Sequence, residues 1–345
     1  MPTKRTRLID IAEATGVSLM TVSQALNPRP NSVRVSTHTR NKVLAAAKEM
    51  GYRPNLFAQR LVSRRTDIIG LVIDTEASHI YKNIMAEVER LTFEAGLRLQ
   101  VGMVHDRFEA IKQYVDDFLG YGIENVLCFA HSYEFSDQVL PLFDPFDDAL
   151  FISQPSSDNR YAFVSPDYYH NFLEAMRYLL QLGHRRIIFV KSNYDTIDCR
   201  LRAKAYRDAH LELGLLPDET LIYSKPLPFL NALPVVDRLL DELLPQRPDA
   251  LILGNDEAVI WTMKGLRQRG LRIPEDLSIL SMDFGSLSMG ITPEITSIDN
   301  RHQEIARRAV EVVCHNAKRG EQEGKWLVQE NIPGRLVLGN SCLKR

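Results

Sequence analysis

The 345-residue chain predicts a small all-α headpiece of helix-turn-helix type, followed by an α/β body of two doubly wound parallel sheets. Three observations predict it. The first is charge: residues 1–66 hold twelve Lys and Arg against Asp10, Glu13 and Glu49, a balance of +9, while the rest holds 30 basic and 41 acidic residues, a balance of −11. A basic head on an acidic body points to a polyanionic partner for the head. The second is the spacing of small and apolar residues in LIDIAEATGVSLMTVSQAL, residues 8–26. The third is an alternation of strand-like and helix-like segments that runs for more than half the chain after residue 66.

Within residues 8–26, Ala12 is small where two helices would cross, and Gly16 stands where the turn needs a positive φ. Val22 then faces back to Ala12, and Ile11, Val17 and Leu26 complete a miniature core. Ser18 occupies the N-cap of the second helix, where its oxygen satisfies an otherwise unpaired backbone N–H. An ordinary αα-hairpin has a similar pattern, so the following segments carry weight. VSTHTRNKVLAAAKEMGYRPN (35–55) reads as a third helix capped near Ser36 or Thr37 and stopped at Gly51, and NLFAQRLVSRR (55–65) as a short helix leading into the body.

In the body, strand-like runs fall at 68–73, 97–103, 125–130, 149–153, 186–190, 249–253 and 277–281. Amphipathic stretches fall at 81–95, 107–120, 168–182, 200–213, 233–244 and 256–269, several closed by a glycine: Gly96, Gly183, Gly214 and Gly270. The alternation is long for one sheet and suits two similar lobes facing across a cleft, with ligands held beyond the carboxyl ends of the strands. No G-x-G-x-x-G, P-loop or H-E-x-x-H pattern occurs, so the usual nucleotide and zinc-hydrolase fingerprints are absent. The four cysteines are scattered without a C-x-x-C, which favours free thiols in a reducing compartment over disulfides or a metal site. MPTKRTRLIDIAEATG has no apolar signal core, and no apolar run reaches a membrane span. A cytoplasmic protein with no membrane partner, cofactor or metal is the expectation.

The segments DIAEATGVSLMTVSQALN, VSTHTRNKV, GYRPNLFAQRL, IIGLVI, LGHRRIIFV, NDEAV and GLRIPEDLSILSMD occur in an order, and over nearly the whole chain, that resembles the LacI/GalR family of bacterial transcriptional regulators. The resemblance implies a headpiece at 1–53, a hinge at 54–65 and a periplasmic-binding-protein-like domain at 66–345. Its N-lobe would take about 66–165 and 301–328, and its C-lobe about 166–300 and 329–341. It further implies a homodimer on a pseudo-palindromic double-stranded operator, acting as a repressor. Ser18, Leu19, Met20, Thr21, Ser23, Gln24 and Asn27 would contact DNA through the second helix. Asn55, Ala58 and Leu61 would do so through a hinge helix in the minor groove, with Leu61 as an apolar wedge between base pairs. This sequence departs from the family in three places: the loop 27–35 is longer and carries Pro28 and Pro30, Gln24 stands where an arginine is frequent, and Arg7 stands where a Thr or Ser cap often precedes the first helix, a role Thr6 could fill. An exposed Leu19–Met20 pair cannot make bidentate hydrogen bonds and favours thymine methyls, and Gln24 suits adenine, so the half-site should carry A·T pairs beneath this helix.

The same resemblance assigns Ile80, Tyr81, Asp167, Arg202, Asn255, Asp256, Asp283 and Asn300 to a small-molecule effector site between the lobes. Carboxylates, amides and one guanidinium suit a polyhydroxylated ligand, with Tyr81 for its C–H face. A sugar or sugar derivative is the expectation, with a nucleobase or nucleoside as the alternative. Each residue also has a plainer role: Asn255 and Asp256 could cap a helix, Asp283 could end a strand, and Arg202 could pair with a surface carboxylate. A solute-binding protein of periplasmic type would have similar lobes but no use for the basic headpiece. A cleft enzyme could use Asp167, Asp256 and Asp283 as acid or base, yet no nucleophile–base pair or metal-ligand cluster accompanies them. The tail GNSCLKR has no leucine heptad, so a dimer is expected rather than a tetramer.

Overall fold

The computed structural model describes residues 6–26, 35–52, 66–74, 79–104, 107–129, 136–157, 160–191, 196–224, 232–285, 289–319 and 324–345. The chain forms two compact units, 1–64 and 65–345.

The first unit holds α1 (Leu8–Thr15), α2 (Leu19–Leu26) and α3 (Thr37–Glu49). Ile11, Val22, Ala25, Val43 and Ala47 are buried at its centre, with Ala12, Val17 and Leu26 packed around them. The third helix thus supplies two core residues that the two-helix pattern lacked. Gly16 closes α1 at φ 67°, and Ser36 caps α3 by accepting from the Thr39 N–H at 3.1 Å. The start of α1 departs from expectation. Thr6 does not cap it; its hydroxyl donates to the Met50 carbonyl at 2.7 Å, tying the chain entry to the end of α3. Asp10 serves instead, accepting from the Arg7 backbone N–H at 2.6 Å.

The second unit contains two six-stranded sheets. The first is built from β1 (Ile68–Ile73), β2 (Arg98–Met103), β3 (Asn125–Phe129), β4 (Asp148–Ile152), β5 (Ala162–Pro166) and β11 (Gln329–Ile332) in the order β11-β5-β4-β3-β1-β2, all parallel. Successive side chains of a strand point to opposite faces, and here both faces are covered. Ile69, Leu71, Ile73, Leu127 and Ile152 pack beneath α4 (His79–Glu94) and α11 (His302–Lys318). Val72, Val126, Cys128 and Phe151 pack beneath α5 (Phe108–Gly120) and the segment that starts with the short α6 (Ser136–Val139).

The second sheet is built from β6 (Ile187–Val190), β7 (Ile222–Tyr223), β8 (Ala250–Leu253), β9 (Ser278–Ser281), β10 (Thr296–Asp299) and β12 (Arg335–Val337) in the order β12-β10-β9-β8-β6-β7. It is parallel except for β12, which runs antiparallel to β10. Its helices are α7 (Tyr168–Gln181), packed on α8 (Ile197–Glu212), and α9 (Leu233–Leu243), packed on α10 (Asp256–Gln268). The chain passes between the sheets three times: after Pro166, after Asp299 and after Ile332. All three crossings leave the carboxyl ends of strands. The last corrects the expectation that 329–341 belong to the second lobe, because Gln329–Ile332 pair with Phe163–Pro166 of the first sheet. The strand QENI carries one buried apolar residue, Ile332, so no apolar run announced it.

Candidate functional site

Two places in the chain bear on function, and they use opposite physical means. In the headpiece, the Ser18 hydroxyl oxygen accepts from the Thr21 N–H at 3.1 Å and lies 2.8 Å from the Thr21 hydroxyl, so the start of α2 is capped as its spacing predicts. Val22 and Ala25 are fully buried, which fixes the rotation of the helix. That rotation leaves Leu19 49% and Met20 69% exposed, apolar side chains with no core to enter. Thr21, Ser23 and Gln24 are half-buried alongside. Asn27, Asn55, Ala58 and Leu61 lie outside the described residues.

In the body, the polar groups gather where the second-lobe strands end. On α8, Asp198 and Arg202 are one turn apart and share a helix face. They form an ion pair, and the guanidinium lies over the Tyr168 ring, 4.5 Å from its centroid. Burial works against the Arg202 charge, but the Asp198 carboxylate outweighs it and the guanidinium is held above its ordinary pKa. Tyr168 opens α7, and its hydroxyl is 2.9 Å from that of Ser153. Ser153 follows β4 in the first lobe with φ 98°. Burial, then the Asp198 charge, raises the phenol pKa, so Tyr168 stays neutral.

Past β9, Asp283 Oδ1 accepts from Asn300 Nδ2 at 2.9 Å and stands 2.6 Å from His302 Nε2. Asn300 is buried; its Nδ2 also donates to the Met282 carbonyl at 2.9 Å, and its Oδ1 accepts from Asn171 Nδ2 at 3.0 Å. Asn171 Oδ1 in turn accepts from the Gly334 N–H at 2.8 Å. A Cβ on Gly334 would fall 2.6 Å from both Asn171 Nδ2 and the Asp299 carbonyl oxygen, so only glycine fits this crossing. The chain Asp283–Asn300–Asn171–Gly334 thus ties β9, β10, α7 and the return crossing together. Electrostatics also link the two groups, since Arg202 and Asp283 each act on Tyr168.

Three of the eight residues expected in the cleft, Arg202, Asp283 and Asn300, fall within this network. Two take their plainer role: Asn255 caps α10 by accepting from the Ala258 N–H at 2.9 Å, and Asp167 caps α7 by accepting from the His170 N–H at 3.0 Å. Asp167 still marks a crossing, for its N–H donates to the Ile332 carbonyl at 3.0 Å. Asp256 is buried, its carboxylate packed so closely on the Gly285 backbone that a Cβ there would collide with it. Ile80 belongs to the first-lobe core. Tyr81 is half-buried with its ring centroid 4.4 Å from that of Phe129. Sequence reasoning missed Asp198, Tyr168, Ser153, Asn171 and His302. The i,i+4 spacing of Asp198 and Arg202 is a readable signal; Ser153 and Tyr168, 15 residues apart in the chain, meet only through the crossing after β5.

A capped helix with an outward apolar edge, ahead of a two-lobed fold with polar groups at its strand ends, defines a DNA-binding regulator with a ligand-binding body. Comparison with known proteins agrees. Residues 7–55 match the model of bacterial regulatory proteins, lacI family, and residues 176–342 match a periplasmic binding protein-like domain. The chain is 27% identical over 340 residues to the HTH-type transcriptional regulator DegA of Bacillus subtilis (strain 168), covering 98% of each chain. It is 25% identical over 307 residues to the ribose operon repressor of Escherichia coli (strain K12), covering 89% of this chain and 91% of the relative. A crystal structure of the lac repressor dimer bound to operator and the anti-inducer ONPF superposes with a TM-score of 0.80 at 23% identity, covering 99% of this chain and all of the other. The chain thus carries a lacI-family DNA-binding headpiece ahead of a periplasmic-binding-protein-like body, the make-up of transcriptional regulators and not of enzymes. Among the described residues, no helix is long and apolar enough to cross a membrane.

Proposed function

We propose that this regulator is a cytoplasmic homodimeric repressor whose grip on a pseudo-palindromic operator is set by a neutral, polyhydroxylated effector held between the lobes. The observation that carries the reading is the meeting of Arg202, Asp283 and Asn300 at the carboxyl ends of the second-lobe strands, beside the crossings that lobe movement must bend. Arg202 and Asp283 are already paired, with Asp198 and His302, so this site offers hydroxyl partners without surplus charge. Tyr81 supplies an aromatic wall for the ligand's C–H face. On the DNA side, α2 enters the major groove from its N-terminus with Ser18, Leu19, Met20, Thr21, Ser23 and Gln24 toward the duplex. Asn27 and the hinge residues Asn55, Ala58 and Leu61 complete the contact. The headpiece at 1–53, hinge at 54–65 and body at 66–345 are the working parts of this scheme.

The test has two stages. A thermal-shift screen of sugars, sugar acids and nucleosides identifies a ligand, and operator titration with and without it follows. Operator affinity that falls steeply as salt rises and changes on adding a neutral sugar supports the reading. No preference among duplexes, with or without any ligand of the screen, overturns it.

A further inference from the structure

His302 opens α11, whose buried residues belong to the first-lobe core, yet its Nε2 stands 2.6 Å from Asp283 Oδ1 beyond the end of β9 in the second lobe. We propose that His302 is a positioning residue of the effector cleft: as an imidazolium it holds Asp283 in place across the lobe junction, so that closure of the lobes depends on a proton. This deepens the effector reading and rests on it only for the use made of the cleft.

The geometry supports the assignment from both sides. Asn300, fixed by its bonds to the Met282 carbonyl and Asn171, approaches Asp283 Oδ1 from the same lobe, and His302 approaches that oxygen from the other. Among the described residues none donates to Oδ2, which leaves that oxygen for a ligand hydroxyl. Among the described residues, Asp283 is the only carboxylate that bonds His302, and the pair is largely shielded from water, with each side chain 20% exposed. Three charged groups face the imidazole from other elements: Asp283 beyond β9, Asp299 at the end of β10 and Arg202 on α8. Burial lowers its proton affinity and Arg202 lowers it further, but the two carboxylates outweigh them, and the pKa is raised. A histidine raised in the folded state contributes stability that is fully present below its ordinary pKa of about 6.5 and lost as pH rises through the folded value. The junction is therefore held in mild acid and released toward alkaline pH.

The experiment uses the full-length protein without ligand. Histidine side-chain NMR, with His302 assigned by its disappearance in H302Q, should show wild-type His302 titrating above the ordinary value and D283N returning it to that value or lower. Hydrogen exchange is then followed at segments 148–153, 166–171 and 282–285 in wild type, H302Q and H302F at matched pH. Gln keeps a donor without titrating and Phe removes it. Wild type should exchange more slowly than both variants near pH 6 and approach H302Q near pH 9, the gap closing by roughly tenfold in exchange rate for each unit of pKa elevation. Wild-type His302 titrating at or below the ordinary value, or a wild-type profile parallel to H302Q throughout, overturns the proposal. If H302F fails to fold, the NMR titration and the H302Q comparison still decide. A flat profile beside an intact sugar response overturns the proton-dependent junction alone. A proton-dependent profile with no sugar response supports the junction and overturns the effector reading.

Discussion

The two lobes present different surfaces at the carboxyl ends of their sheets. In the first, among the described residues, Ile80 is absorbed by the core and Tyr81 leans on Phe129, with Asp74 and Ser153 as the buried polar residues directly after β1 and β4. In the second, Arg202, Asp283 and Asn300 are hydrogen-bonded or ion-paired before any ligand arrives. One lobe thus offers a wall and the other an ordered set of polar partners. Groups already fixed by neighbours lose little freedom on binding, so hydroxyl recognition should depend on the second lobe and be tuned by the first.

That asymmetry can be broken, and the largest effect is expected at Arg202. R202M leaves Asp198 and Tyr168 in a largely buried site without their cation, and unfolding in urea should show a loss of about 2–4 kcal/mol, with effector response abolished. D283A removes the acceptor of both Asn300 and His302 and should cost about 1–3 kcal/mol. Because the His302 pKa is raised in the folded state, the gap between wild type and D283A should be widest in mild acid and narrow as pH rises, a trend read from melting temperatures across pH. Y81A should leave the operator affinity of the free protein unchanged and weaken effector binding by about 1 kcal/mol, close to fivefold in calorimetry. The smallest effect on stability is expected at the headpiece edge. L19A/M20A should change stability by no more than about 0.5 kcal/mol, yet relax the preference for A·T pairs under α2 when bound duplexes are selected from a random pool.

The fold was legible in the sequence wherever burial is continuous. Ile68–Ile73 and Ala250–Leu253 are central strands covered on both faces, and their apolar runs declare them. Thr296–Asp299 is as deeply placed, but it carries Thr296 and Ser297, whose polar atoms pair with Ser341, Gly339 and the Ile295 carbonyl, so composition conceals the strand. Arg335–Val337 is an antiparallel edge strand and equally silent. The site divides along the same line. Arg202 and Asp283 announce themselves by type and by the segments around them. Their partners Tyr168 and His302 come from chain segments that only the crossings bring together, and no local spacing encodes that. Asp167 and Asn255 show the reverse case, in which a residue type suited to a ligand serves as a helix cap.

The central claim is that a neutral ligand seated on the second-lobe network governs operator binding. The most direct measurement is a titration of the full-length dimer on a selected operator at fixed salt, with and without the sugar found by thermal shift, in wild type, D283A and Y81A. The account predicts that the sugar changes operator affinity in wild type, has a reduced but measurable effect in Y81A, and has none in D283A, while wild type and Y81A bind the operator alike in its absence. An unaltered response in D283A would contradict it.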